Sequence, residues 1–90
     1  MVGHFATAKA GHDKDTLYVI VAEEGDFVLL CDGRLKKLSH PKKKRKKHIQ
    51  LIGRSVPEAL VQDILAHTAS DEQIKQVLQD KKREEMYVKK

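Results

Sequence analysis

Between residues 34 and 54 the chain carries ten cationic side chains and no acid: Arg34, Lys36, Lys37, Lys42, Lys43, Lys44, Arg45, Lys46, Lys47 and Arg54. Six of them are adjacent, and six adjacent cations repel one another. Such a run is usually kept where a polyanion neutralises it. The flanks have the opposite balance. Residues 1–33 hold two bases against six acids, and residues 55–90 hold six bases against seven. The central segment therefore supplies all of the net charge of +5. Nucleic acid is the first candidate partner, because neutralising phosphates releases condensed counterions.

Ninety residues permit one small domain plus an appendage, not two independent cores. With Phe5, Tyr18, Phe27 and Tyr87 as the aromatic residues and no Trp, the core must rest on Val, Leu and Ile. Cys31 is the single cysteine. It can form no internal disulfide, which argues for a reducing compartment, and its neighbours Leu29 and Leu30 suggest a buried strand thiol. The start of the chain lacks a basic stretch followed by an apolar run, so no secretory signal is expected. The longest apolar runs, at 17–22 and 27–31, are too short to cross a bilayer. A soluble protein of the cytoplasm or nucleus is expected.

The pattern predicts short strands with tight turns. Residues 3–9 read as a first strand, 10–15 as a turn-rich loop and 17–22 as a β-branched and aromatic strand. After turn chemistry at 23–26, residues 27–31 form the hairpin partner. Asp32-Gly33 is the next turn signal, because Gly accepts a positive φ. Residues 35–38 read as a brief fourth strand. Pro41 then breaks pairing and opens a basic loop at 41–47, and residues 48–52 close the series, ended by Gly53. Five short strands within about fifty residues suggest a small barrel. From Ser55 the composition turns helical. Ser55 is the expected N-cap, with Glu58 completing a capping box and Pro57 in the first turn, and Leu60, Val61, Ile64 and Leu65 follow at helical spacing. Ser70 and Gln73 repeat the capping logic ahead of Ile74, Val77 and Leu78, whose stripe fades beyond Gln79. The expected organisation is a β domain at 1–54 and a helical extension at 55–90, with the helix stripes packed on the sheet.

Gly3-His4-Phe5-Ala6 through Lys9-Ala10-Gly11-His12-Asp13-Lys14, followed by Leu17-Tyr18-Val19-Ile20-Val21, resembles the KOW motif, which pairs two strands across a glycine-centred loop. More narrowly, the chain is similar to the short bacterial KOW proteins related to the fourteen-e family of large-subunit ribosomal proteins. Asp32-Gly33-Arg34-Leu35-Lys36-Lys37, Pro41-Lys42-Lys43-Lys44 and Lys47-His48-Ile49-Gln50 fit that family's second half. The similarity covers about residues 3–52. One departure is Asp15, where the family often has a second glycine or another small residue. The resemblance implies a mainly β, SH3-like (KOW) barrel of about five strands with one or two C-terminal helices. It also implies RNA binding, most plausibly of ribosomal RNA in the large subunit, without catalysis.

The candidate RNA-binding residues are Lys9, His12, Lys14, the ten central cations and His48. Gly11, Asp13 and Gly33 are expected to shape turns. Gly11 can also be read as letting RNA backbone approach closely. The run Pro41-Lys42-Lys43-Lys44-Arg45-Lys46-Lys47 has three readings: an RNA-backbone contact, a signal resembling a monopartite nuclear-import sequence, or a solvated loop. The five histidines make no zinc pattern with Cys31, and no phosphate-cradling glycine motif or nucleophile–base arrangement is present. No cofactor, metal, membrane or small-molecule substrate is expected, and the chain is read as a monomer. The rival reading is a protein-interaction adaptor in which the helices dock a partner.

Overall fold

The computed structural model describes residues 1–9 and 16–88, with side chains described through Arg83. Five strands follow in order: β1 (His4–Ala8), β2 (Tyr18–Glu24), β3 (Phe27–Cys31), β4 (Lys42–Arg45) and β5 (Ile49–Ser55). A one-turn 3-10 helix, Lys46–His48, joins the last two. Two helices follow among the described residues, α1 (Glu58–Leu65) and α2 (Asp71–Val88). The strands form one antiparallel sheet in the order β4-β3-β2-β1-β5. The protein is mainly β with two helices, as the sequence pattern predicts. Gly11, His12, Asp13 and Lys14 lie outside the described residues.

The sheet order places β4 and β5 at opposite edges, yet only three residues separate them. Four interstrand spacings make a flat sheet of this order about 19 Å wide. The link reaches at most about 14 Å even when extended, and less as a 3-10 turn. The sheet must therefore curl until its edges approach. The backbone hydrogen bond from Lys9 N–H to His48 O (2.9 Å) continues the β1–β5 ladder into the link itself.

Curling gives the sheet two different faces. On one, Phe5, Val19 and Cys31 lie in register and pack with Leu60, Ile64, Ile74 and Leu78 of the helices. On the other, Ala6, Tyr18, Ile20, Val28, Leu30 and Ile49 form a second cluster with no helix residue in it. Ala6, Ile20, Val28 and Leu30 are nonetheless fully buried. The sheet covers them itself.

Four local expectations need correction. Residues 35–38 are not a strand. The backbone N–H groups of Arg34 and Lys36 both donate to Asp32 Oδ1 at 2.9 Å, and Asp32 N–H donates to Lys36 O. With Gly33 at φ +79°, this closes a compact turn that leaves Leu35 86% exposed. The fourth strand comes later, from the lysines expected to be a loop. Ladder hydrogen bonds to β3 belong to the backbone and need no apolar side chain, and lysine is a common resident of sheet edges. Pro41 immediately precedes this strand and takes no place in its pairing.

His48 ends the 3-10 turn, so β5 starts at Ile49 and runs past Gly53 to Ser55. The register shifts between His4 and Phe5, whose partners are Ser55 and Ile52, and Gly53 at φ +61° lies in the extra length of β5. Ser55 is consequently a strand residue, not a cap. Val56 N–H donates to Gly3 O, which keeps the backbone extended, and α1 starts after Pro57 with no side-chain cap. Glu58 Oε1 instead accepts from Gln62 Nε2 (2.8 Å). The second capping box is formed: Gln73 N–H donates to Ser70 Oγ (3.2 Å) and Ser70 N–H to Gln73 Oε1 (2.9 Å).

The helix stripes are core, except for Leu65, which is 56% exposed. Ile74 is fully buried. Ile74→Ala is expected to lower the unfolding free energy by about 2–5 kcal/mol, whereas Leu65→Ala should change it by less than about 0.5 kcal/mol. Urea denaturation of both variants measures the difference, and equal small effects would place α2 outside the cooperative core.

Candidate nucleic-acid interface

Along β4 the side chains alternate between the two faces of the sheet. Lys42 and Lys44 stand opposite Leu30 and Val28, at the rim of the helix-free face, and are half-buried. Half-buried lysines in such a position cover apolar surface with their aliphatic stems. Burial, and next the charge of Lys44, lower the pKa of Lys42. Lys43 and Arg45 stand on the other face beside Phe27. The Lys43 ammonium lies 4.7 Å and the Arg45 guanidinium 5.0 Å from the centre of that ring, two cation–π contacts with one aromatic side chain.

The β2–β3 hairpin tip supplies counter-charge that the linear sequence did not assign to this site. Glu24 meets Lys43 at 3.5 Å. Glu23 accepts from Lys46 at 2.9 Å and from the amino terminus. These contacts follow from pairing, since Glu24 is opposite Phe27 and Phe27 is opposite Arg45. The Lys46 N–H also donates to Asp26 O at 2.8 Å. Lys47 and His48 of the 3-10 turn are exposed, and Lys9 lies beside them through its hydrogen bond to His48.

The remaining predicted cations lie elsewhere. Arg34, Lys36 and Lys37 occupy the turn after β3. Arg34 lines a cleft with Lys75 and Lys82 of α2, and Arg54 lines another with Lys81. Six of the ten cations thus form a rail along β4 and the 3-10 turn, Arg34 and Arg54 lie against α2, and Lys36 and Lys37 stay in the turn after β3. Lys75, Lys81 and Lys82 were missed because the helical segment reads as slightly acidic in total charge. Among the described residues, Arg34, Lys37, Lys44 and Lys47 form no ion pair.

Cys31 stands apart from this surface. Burial, and next the charges of Asp71 and Asp32, push its thiol up to about 12. It remains protonated near neutrality. Among the described residues no group of His, Cys, Asp and Glu is arranged to hold a metal ion, and no helix is long and apolar enough to cross a membrane.

The Glu23 carboxyl is held down at about 2, first by the hydrogen bond from the amino terminus and next by that from Lys46. A depressed carboxylate pKa stabilises the fold above the ordinary value of 4.5, and that stabilisation is lost as pH falls through about 2. Lys46→Gln is expected to raise the Glu23 pKa toward its ordinary value, read by NMR titration of the carboxyl carbon. An unchanged titration would show that Lys46 does not engage Glu23 in solution. Neither a protein-family model nor a curated protein matches the chain.

Proposed function

We propose that the protein binds structured RNA, most plausibly ribosomal RNA, through the β4 rail of an SH3-like barrel of the KOW type. The observation that carries the reading is the conversion of an acid-free basic run into a hydrogen-bonded edge strand. Its cations therefore have fixed spacing and fixed faces. A solvated loop would lose more conformational entropy on contacting a polyanion, and preorganisation reduces that cost. The curled sheet and the short 3-10 link support the barrel reading. A cytoplasmic monomer associated with the large ribosomal subunit is the setting that fits the resemblance.

Readout by backbone and shape is favoured over stacking on unpaired bases. Phe5 and Tyr18 are buried, and Phe27 lies beneath Lys43 and Arg45. These aromatic residues offer little free ring surface. The adaptor reading draws support from a different feature, an apolar groove of about 330 Å³ lined by Val21, Leu29, Leu38, Pro41 and Ile64. The import-signal reading fits less well. A receptor that binds an extended peptide would have to peel Lys42–Arg45 away from β3.

If six to eight cations meet phosphates, the slope of log K against log[salt] should be roughly −4 to −7 for the parent. Replacing Lys43, Lys44, Arg45 and Lys47 by Gln should reduce that slope by about three to four and weaken binding to ribosomal RNA at moderate salt. Titrations at several salt concentrations test this, with thermal melts to verify folding. A parent slope near zero, or a folded variant that binds as tightly as the parent, overturns the RNA reading and favours the adaptor.

A further inference from the structure

The turn after β3 is fastened to α2. Leu38 N–H donates to Asp71 Oδ1 at 2.8 Å, and a Cβ added to Gly33 would come within 2.6 Å of the Asp71 carbonyl oxygen and 2.7 Å of Lys75 Cγ. Glycine at φ +79° therefore permits both the turn and its close seat on the helix. The consequence is that Arg34 is presented beside Lys75 and Lys82, around a cleft of about 110 Å³ that also includes Thr16, Asp32 and Gln79. Arg34 and Lys82 are exposed, and Lys75 makes one ion pair, with the exposed Glu72 at 3.0 Å. Asp32 Oδ1 already accepts two backbone N–H groups, so one side of that carboxylate is committed to the turn. What the cleft offers a ligand is three cationic donors and an amide, beside the Asp32 carboxylate, while the Thr16 hydroxyl is engaged with Tyr18.

We propose that this cleft is a second phosphate site and that the protein bridges two separate segments of RNA backbone, one at the β4 rail and one at the β3–α2 seam. The proposal rests on the RNA reading above and adds a partner geometry to it. The rail runs antiparallel to β3, so Asp32 at the seam lies two residues beyond the partner of Lys42 and five beyond the partner of Arg45, about 7 and 17 Å along the strand. A polyanion that fills the seam and also the far end of the rail, at Arg45 and the 3-10 turn, must cross the longer distance or present two strands, as a folded RNA does. Lys75 and Lys82, which lie outside the central basic run, become binding residues because the fold delivers Arg34 to them.

Inorganic phosphate titrated into the labelled full-length chain at low ionic strength, followed by amide NMR, tests the site without RNA. Shifts are expected at Thr16, Arg34 and Gln79, and separately at Lys44 and Lys47. Arg34→Gln combined with Lys82→Gln should abolish the first set and spare the second. The same variant should lower affinity for a folded ribosomal RNA fragment about ten-fold and reduce the salt slope by about two. Persistence of the Thr16 and Gln79 shifts in the variant overturns the seam site. Loss of those shifts with unchanged RNA affinity and slope overturns the bridging role and leaves rail binding intact. A parent that responds to phosphate but binds no RNA overturns the RNA reading, and the bridging role with it.

Discussion

The backbone pairing of Lys42–Arg45 with Phe27, Val28, Leu29 and Leu30 is the interaction on which the other features depend. It fixes β4 at one edge of the sheet. Because only Lys46–His48 separates β4 from β5 at the other edge, it also forces the sheet to close on itself. That closure buries Ala6, Ile20, Val28 and Leu30 without help from the helices, which are then free to cover the opposite face. The same ladder divides the cations by face, with Lys42 and Lys44 at the inner rim and Lys43 and Arg45 over Phe27.

Holding this many like charges together has a modest cost in water. Residues two apart on a strand are about 6.8 Å apart, and two unit charges at that distance repel by ~0.6 kcal/mol at the dielectric constant of water. The hairpin tip offsets part of it, with Glu24 at Lys43 and Glu23 at Lys46. Exposed pairs of this kind are individually weak. Lys44 and Lys47 remain without an acidic partner among the described residues. The field is thus partly compensated on the hairpin side and open at Lys44 and Lys47, which suits a polyanion that supplies the missing charge only when bound.

Much of the strand plan was legible because it rests on local signals: the β-branched run of β2, the hairpin before Phe27, the turn at Gly33 and the Ser70–Gln73 capping box. The errors share a cause. Whether a segment pairs depends on an open edge elsewhere, and side-chain composition does not report that. A run of lysines following a proline reads as loop, whereas β3 had an edge to offer. Leu35, an apolar residue in a compact turn, reads as strand for the complementary reason. Ser55 looked like a cap because its hydroxyl chemistry is right, but pairing to β1 held it extended. For the candidate site, the cations themselves were visible in the sequence. Their division between a rail and the flanks of α2, and the counter-charge from Glu23 and Glu24, required the register.

Lysine footprinting tests the central claim most directly, because it reports on the rail residue by residue. The folded chain would be acetylated at low salt with and without ribosomal RNA, and each modified lysine quantified by mass spectrometry. The account predicts that RNA protects Lys43, Lys44 and Lys47 and that the protection disappears at high salt. Equal labelling of these three lysines with and without bound RNA would contradict it.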